Sequence, residues 1–345
     1  MTSPLRIAIA GAGRFGSLHA RAWHEAGAEI VAAVDIDGER AGALADVYGA
    51  TRHGTDLGVV LEDAGVDAVV VASDEASHTR LTDTAIAHGS HVFVEKPFAL
   101  SSAEAARSIR AAEAAGLQLI AGHISRFAQP YAYMREALDA GRLGELWSVR
   151  LRRDFTRSWL AAFGHRVHPA WESCIHDIDL AIFFTGERPE SVYALQVIDG
   201  DSGFPASMTA LLRFPSGRTV TIESAWSVPD RGPQSLAGAL ALDGTIAGAA
   251  ELIGSRGTVT QRLINDALVE WNEQGVFAPD LSLWPERNGR VGGALREEIE
   301  HALAVFSGSI ANTRMPHREA LWSVGTAEAM IRSLESGQPE AVLTD

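Results

Sequence analysis

The stretch RIAIAGAGRFGSLHARAWHEAG, residues 6–27, decides the fold. A β-branched apolar run ends at Gly11, and an amphipathic pattern begins directly after the glycines and stops at Gly27. Strand, glycine-rich turn and helix in that order make the first half of a nucleotide-type unit. Gly11 permits a tight turn, Gly13 lets backbone approach a pyrophosphate, and Gly16 lets helix and strand pack closely. The helix N-terminus offers N–H groups and a partial positive charge, so Arg14 and Phe15 join the three glycines as candidate cofactor-binding positions. Asp35 ends the next apolar run, nineteen residues after Gly16, where a carboxylate can accept from a ribose hydroxyl. It would repel a 2′-phosphate, so the expected cofactor is NAD, with NADP disfavoured.

Outward from this unit the same rhythm continues. Apolar strand-like runs lie at 6–11, 29–35, 67–73, 91–96 and 117–123, with helical patterns at 14–26, 39–48, 56–64, 77–88 and 102–115. Continuous apolar strands alternating with helices imply a parallel sheet covered on both faces. After residue 122 the pattern changes to an aromatic-rich segment at 156–170, a helix over 169–185, and several alternating strands in series. Hairpin-like breaks between those strands imply an antiparallel sheet. The expected architecture is α/β. A doubly wound Rossmann domain at 1–122 is followed by an α+β domain at 123–345 with a large, mostly antiparallel open sheet.

Composition narrows the function classes. The chain has 345 residues and a formal charge of −15, which argues against nucleic acid or an anionic membrane as partner. One cysteine, Cys174, excludes an intrachain disulfide and a cysteine-based zinc cluster. No apolar run approaches a membrane span, and no leader pattern precedes the first strand, so a cytoplasmic protein is expected.

Two constellations carry the chemistry. HVFVEKPFAL, residues 91–100, contains Lys96, the one lysine among 29 basic side chains. Pro97 stops the strand, leaving Lys96 at the carboxyl edge where an open α/β sheet binds ligands. Lysine is a compact charge with rotatable donors, which arginine is not. HPAWESCIHDIDLAIFFTG, residues 168–186, sets Glu172, His176 and Asp179 four and three apart, on one helical face. A histidine beside a carboxylate can serve as a base near neutral pH. A surface ion pair supporting the helix is the alternative reading of the same spacing. No metal-ligand pattern is present, so no metal is expected. The arginines of RLRRDF, residues 150–155, read as a solvated strand face.

With these residues in hand, the chain resembles the glucose–fructose oxidoreductase/inositol dehydrogenase (Gfo/Idh/MocA) family. The marks are GAGRFGSLHA, EKP at 95–97, GHISRFAQP at 122–130, GELWSVR at 144–150 and ESCIHDIDLAIFFTG at 172–186. The resemblance implies an NAD-dependent dehydrogenase for a secondary hydroxyl of a sugar, polyol or inositol-like substrate. It implies Lys96 at the reacting oxygen, His176 as general base and Glu172 in place of the family's usual aspartate. Asp179, Arg126, Arg157 and His168 become candidate substrate residues. Ser73, His78 and Glu95 become candidate cofactor contacts, although Ser73, Asp74 and Glu75 depart from the family's Thr-Pro-Asn pattern. A homodimer or homotetramer is implied as well. Two rivals stand beside this reading. An NAD-dependent glycosidase that oxidises transiently would retain all these residues. A catalytically silent NAD/sugar sensor would retain the glycine turn but need neither Lys96 nor His176, whose presence counts against it.

Overall fold

The computed structural model describes residues 3–62, 65–230, 234–236, 239–240, 246–262, 268, 270–273 and 275–344. Two compact units emerge: one runs to Ile124 and takes in Glu286–Leu321, and the other comprises Ser125–Pro285 and Trp322–Thr344.

The first unit alternates strand and helix: β1 (Arg6–Ala10), α1 (Arg14–Glu25), β2 (Glu29–Val34), α2 (Gly38–Tyr48), β3 (Arg52–Gly54), α3 (Leu57–Leu61), β4 (Ala68–Val71), α4 (His78–Ala87), β5 (His91–Glu95), α5 (Ser102–Ala114) and β6 (Leu119–Gly122). The strands form one parallel sheet of order β3-β2-β1-β4-β5-β6. Its centre is AVVV on β4, IAIA on β1 and VFV on β5, all buried, which is why these runs carry no polar alternation. Strand β3 adds a sixth member to the five strands expected. Its three residues, Arg-His-Gly, sit at the sheet edge with little burial and so lack an apolar signature.

The second unit contains α6 (Gln129–Asp139), β7 (Leu146–Phe155), α7 (Arg157–Phe163), a π-helical turn (Ala170–Cys174), α8 (Ile175–Thr185), β8 (Ser191–Ile198), β9 (Pro205–Arg213), β10 (Thr219–Ala225), β11 (Gln234–Leu236), β12 (Ile246–Gly254), β13 (Thr258–Arg262), β14 (Glu270–Asn272) and β15 (Gly275–Pro279). One of the alternating strands expected in series, SLAGALALDG at 235–244, lies in part outside the described residues. The chain then passes through β16 (Glu286–Arg287), β17 (Arg290–Val291), α9 (Gly293–Phe306), α10 (His317–Ser336) and β18 (Glu340–Ala341). The large sheet has the order β13-β12-β7-β10-β9-β8-β18, antiparallel throughout except for the β7–β10 pair.

The domain division at residue 122 needs one correction. Glu286–Leu321 returns to the first unit because α1 has an apolar face that α9 covers. Trp23 stacks on Phe306 with ring centroids 6.2 Å apart, and His91 stacks on the same ring at 5.3 Å. Arg21 bonds Glu286, and the Glu25 carboxylate accepts from Val291 N–H.

One face of the second sheet packs on α8, and burial follows the strand alternation: Val149, Leu151, Arg153 and Phe155 on β7, Ala210 and Leu212 on β9, Val220 and Ile222 on β10. Arg153 falls on this inward phase. Its guanidinium forks onto Asp177 of α8 at 3.1 and 3.0 Å, both side chains being buried. Burial opposes the Arg153 charge, but Asp177 and Tyr131, by attraction and hydrogen bonding together, raise the guanidinium pKa above its ordinary value. Arg150 and Arg152 point to the other face, exposed, where Arg150 pairs with Glu251 at 2.8 Å.

Breaking such a pair strands a buried charge, whereas replacing both partners does not. Asp177→Ala is therefore expected to lower unfolding free energy by about 3–5 kcal/mol, and Arg153→Met with Asp177→Leu to lower it by less than about 2 kcal/mol. Urea unfolding of both variants checks the difference.

Candidate functional site

In the first unit the glycine turn is held by contacts that only hydrogen at Cα allows. Gly11 has φ +109, and a Cβ there would lie 2.5 Å from Ala72 O. A Cβ on Gly16 would lie 1.8 Å from Gly11 O. Gly13 differs, because an added Cβ would meet nothing within 4 Å. Gly13 is also the N-cap of α1, which has neither a side-chain cap nor an acid in its first turn. An uncapped helix start beside open space suits the pyrophosphate of a dinucleotide. Arg14 is exposed at this end, while Phe15 turns its ring edge onto His19 at 5.1 Å.

Asp35 lies at the end of β2, and both its oxygens accept backbone N–H groups. Oδ2 accepts from Ala12 at 2.7 Å and Oδ1 from Asp37 at 2.9 Å. The acid is thus aimed by the loop it serves, with acceptor capacity left for a ribose. Arg40, the nearest cation along the chain, is paired with Asp37 at 3.2 Å, which leaves Asp35 to set the local sign of charge.

At the ends of β4 and β5 the expected cofactor residues meet one another. The Ser73 hydroxyl lies 2.6 Å from Ser77 Oγ. His78 is buried, with Nδ1 2.8 Å from Pro97 O and Nε2 3.2 Å from Ser73 O. It is a strut between the two strand ends. Glu95 is buried too, and its Oε1 bonds His19 Nε2 at 2.8 Å. Lys96 follows, half-buried, at the carboxyl edge.

The second unit carries the acid–histidine segment, and here the expected single helix is in two parts. Ala170–Cys174 forms a π-turn, within which the Ser173 hydroxyl donates to the Pro169 carbonyl at 2.9 Å. Ser173 Oγ also meets Ser224 Oγ at 2.9 Å and accepts from Trp226 Nε1 at 3.1 Å. From Ala170 to Ile182 every residue is buried except Glu172 and His176, so these two share the open patch. Asp179 is not part of it. Both its oxygens accept from Arg126, at 2.8 and 2.6 Å, and both residues are buried. Spacing put Asp179 with Glu172 and His176, but a helix buried nearly all round turns it to a separate partner. Burial pushes the Cys174 thiol up to about 12, which fits an inert core residue.

His168 precedes the π-turn, where Nδ1 accepts from Ala170 N–H at 3.2 Å. Burial lowers its pKa, so the neutral ring caps the segment. Arg157 opens α7 as an exposed residue, with Ser158 N–H held by Asp230 at 3.0 Å. That helix stands where sequence reading found only an aromatic-rich segment, and Trp159 packs between Phe155 and Phe163 at 4.9 and 4.7 Å. Among the described residues no group of three His, Cys, Asp or Glu could hold a metal ion, and no helix is long and apolar enough to cross a membrane.

Sequence reading missed His19, Arg153 and Asp177. Arg153 had a signal, since it shares the inward phase of β7 with Leu151 and Phe155. His19 had none beyond its place on α1.

Comparison with known proteins gives two family matches. Residues 5–123 match an oxidoreductase family described as having an NAD-binding Rossmann fold, and residues 131–260 match the GFO/IDH/MocA C-terminal domain. A 4-carboxy-2-hydroxymuconate-6-semialdehyde dehydrogenase of Sphingobium sp. is 30% identical over 63% of this chain and 71% of its own. An inositol 2-dehydrogenase of Rhizobium meliloti is 30% identical over 64% and 68%. In fold, the crystal structure of myo-inositol 2-dehydrogenase from Lactobacillus plantarum superposes with a TM-score of 0.82 at 22% identity, covering 99% of this chain and 100% of that one.

The two glycines separate ligand from scaffold. Gly13→Val is expected to unfold within about 1 kcal/mol of the parent while weakening NAD at least about tenfold. Gly16→Val is expected to lose more than about 3 kcal/mol, since its neighbour is backbone. Fluorescence titration and thermal melts read the two effects.

Proposed function

The chain belongs to the GFO/IDH/MocA oxidoreductase family, and from that premise we propose that it transfers a hydride between nicotinamide and a secondary hydroxyl of a polyol or sugar of the inositol kind. It is an NAD-dependent dehydrogenase acting on CH–OH groups. The observation that carries the finer reading is that Glu172 and His176 are the half-buried residues of a segment, Ala170 to Ile182, that is buried elsewhere.

Bound NAD supplies the hydride acceptor. The Gly13 end of α1 and the Asp35 carboxylate are the groups that would hold its phosphates and adenine-side ribose. In this reading Lys96 hydrogen-bonds the reacting hydroxyl oxygen and stabilises the negative charge that develops there. His176 takes the hydroxyl proton as general base. Glu172 orients the imidazole or holds a neighbouring hydroxyl, and its extra methylene relative to aspartate extends its reach. Asp179 acts at one remove, through Arg126, by holding α8 in rotation. Relatives named as inositol 2-dehydrogenases support a cyclic polyol as substrate. The reading includes a cytoplasmic location, in keeping with a single cysteine that is free and buried.

The oligomer in this reading is a homodimer or homotetramer joined through the outer face of the second sheet. There Leu195, Val197 and Leu211 are exposed on β8 and β9, more apolar surface than a solvated sheet face needs.

Two experiments test the proposal. Lys96→Met and His176→Ala should each lower kcat for myo-inositol oxidation by about 10²–10⁴-fold, read as NADH absorbance. Cleavage of an aryl glycoside with catalytic NAD, and no net NADH from any polyol, would replace this reading with the glycosidase. Leu195→Arg with Val197→Arg should shift the sedimentation coefficient to that of a monomer, and an unchanged coefficient would remove the sheet face from the assembly.

A further inference from the structure

One buried polar pair in the first unit has no part in the mechanism above. His19 lies on α1, fully buried, with its ring against Phe15 and tilted over Phe93 at 5.5 Å. Its Nε2 bonds Glu95 Oε1 at 2.8 Å, and Nδ1 has no hydrogen-bond partner among the described residues. The imidazole therefore has one polar tether. Glu95, at the end of β5, uses its second oxygen to accept the N–H of Lys96 at 3.2 Å. Glu95 Oε1 lies in space that Gly122 of the neighbouring strand leaves open, since a Cβ there would come within 2.9 Å of it.

A burial this deep is costly for a carboxylate unless donors meet both oxygens. Here one donor comes from the helix whose N-terminus faces the cofactor phosphates, and the other from the backbone of the lysine. The carboxylate accepts from both. We propose that His19 is a positioning residue: through Glu95 it sets the Lys96 backbone relative to α1, so that the amine and the dinucleotide site move as one body. A displacement of about 1 Å at a reacting group can cost about a hundredfold in rate, so a tether of this kind acts on kcat more than on cofactor affinity. The inference rests on Lys96 being the acting amine, and the test keeps the two separable.

Lys96 is the one lysine in the chain, so an amine-selective reagent followed by mass spectrometry reports on its surroundings without any turnover. His19→Leu should label Lys96 about tenfold faster than the parent and lower kcat by about tenfold or more, with NAD affinity kept within about threefold. His19→Gln places an N–H donor near the position of Nε2, and it should restore labelling rate and kcat to within about threefold of the parent. Should His19→Leu fail to fold, Glu95→Gln serves in its place, since an amide cannot accept at both positions and should also speed labelling. An unchanged Lys96 labelling rate in a folded His19→Leu or Glu95→Gln protein overturns the tether. Faster labelling with unchanged kcat upholds the tether and removes Lys96 from the chemistry instead.

Discussion

The first unit depends on how tightly the chain is pinned where it leaves β1. Gly11 N–H donates to Val34 O on the β2 side at 2.7 Å, and Ala10 O accepts from Ala72 N on the β4 side at 2.8 Å. Strand order reverses between these two neighbours, so the chain must turn up out of the sheet between them. Backbone from Ala72 already fills the space on one side of Gly11, and Gly16 comes back against Gly11 O on the other. Three backbone segments thus share a volume that no side chain enters. The direction of α1, and with it the place where its N–H groups emerge, follows from that crowding.

The second unit solves a different problem, which is how to hold a helix that carries a polar pair while burying the rest of it. Helix α8 is gripped through two acids two positions apart, Asp177 by Arg153 of β7 and Asp179 by Arg126. Successive alternate positions point to different sides of a helix, so the two forks restrain rotation in both senses. Buried ion pairs add little net stability over apolar packing, but they are directional where leucine is not. Rotation of α8 decides what Glu172 and His176 face, and a purely apolar seam would define that angle less sharply.

What could be read in the sequence follows from how local each cause is. The central strands were legible because burial on both faces removes polar residues from them. The glycine turn and Asp35 were legible because their mechanism lies within one strand–turn–helix. Strand β3 was not, since three residues at an edge need no apolar pattern. Arg153 was hidden by its type: charge argued for solvent while alternation argued for the core, and alternation was correct. The π-turn departs from the 3.6-residue period, so residue spacing does not encode it. Asp179 was misgrouped because a 3.6-residue period gives a face but not its neighbours. His19 and Glu95 lie 76 residues apart, and only the folded sheet joins them.

The stacking of Trp23 on Phe306 has a consequence for the order in which the molecule can be assembled. Helix α1 is synthesised long before its cover on α9. Between the two comes all of the second sheet except β18, and until α9 follows, Trp23 has Phe93 beside it but lacks its stacking partner Phe306. The dinucleotide unit is a circuit closed by a segment far along the chain, and loss of α9 reaches back to its first helix.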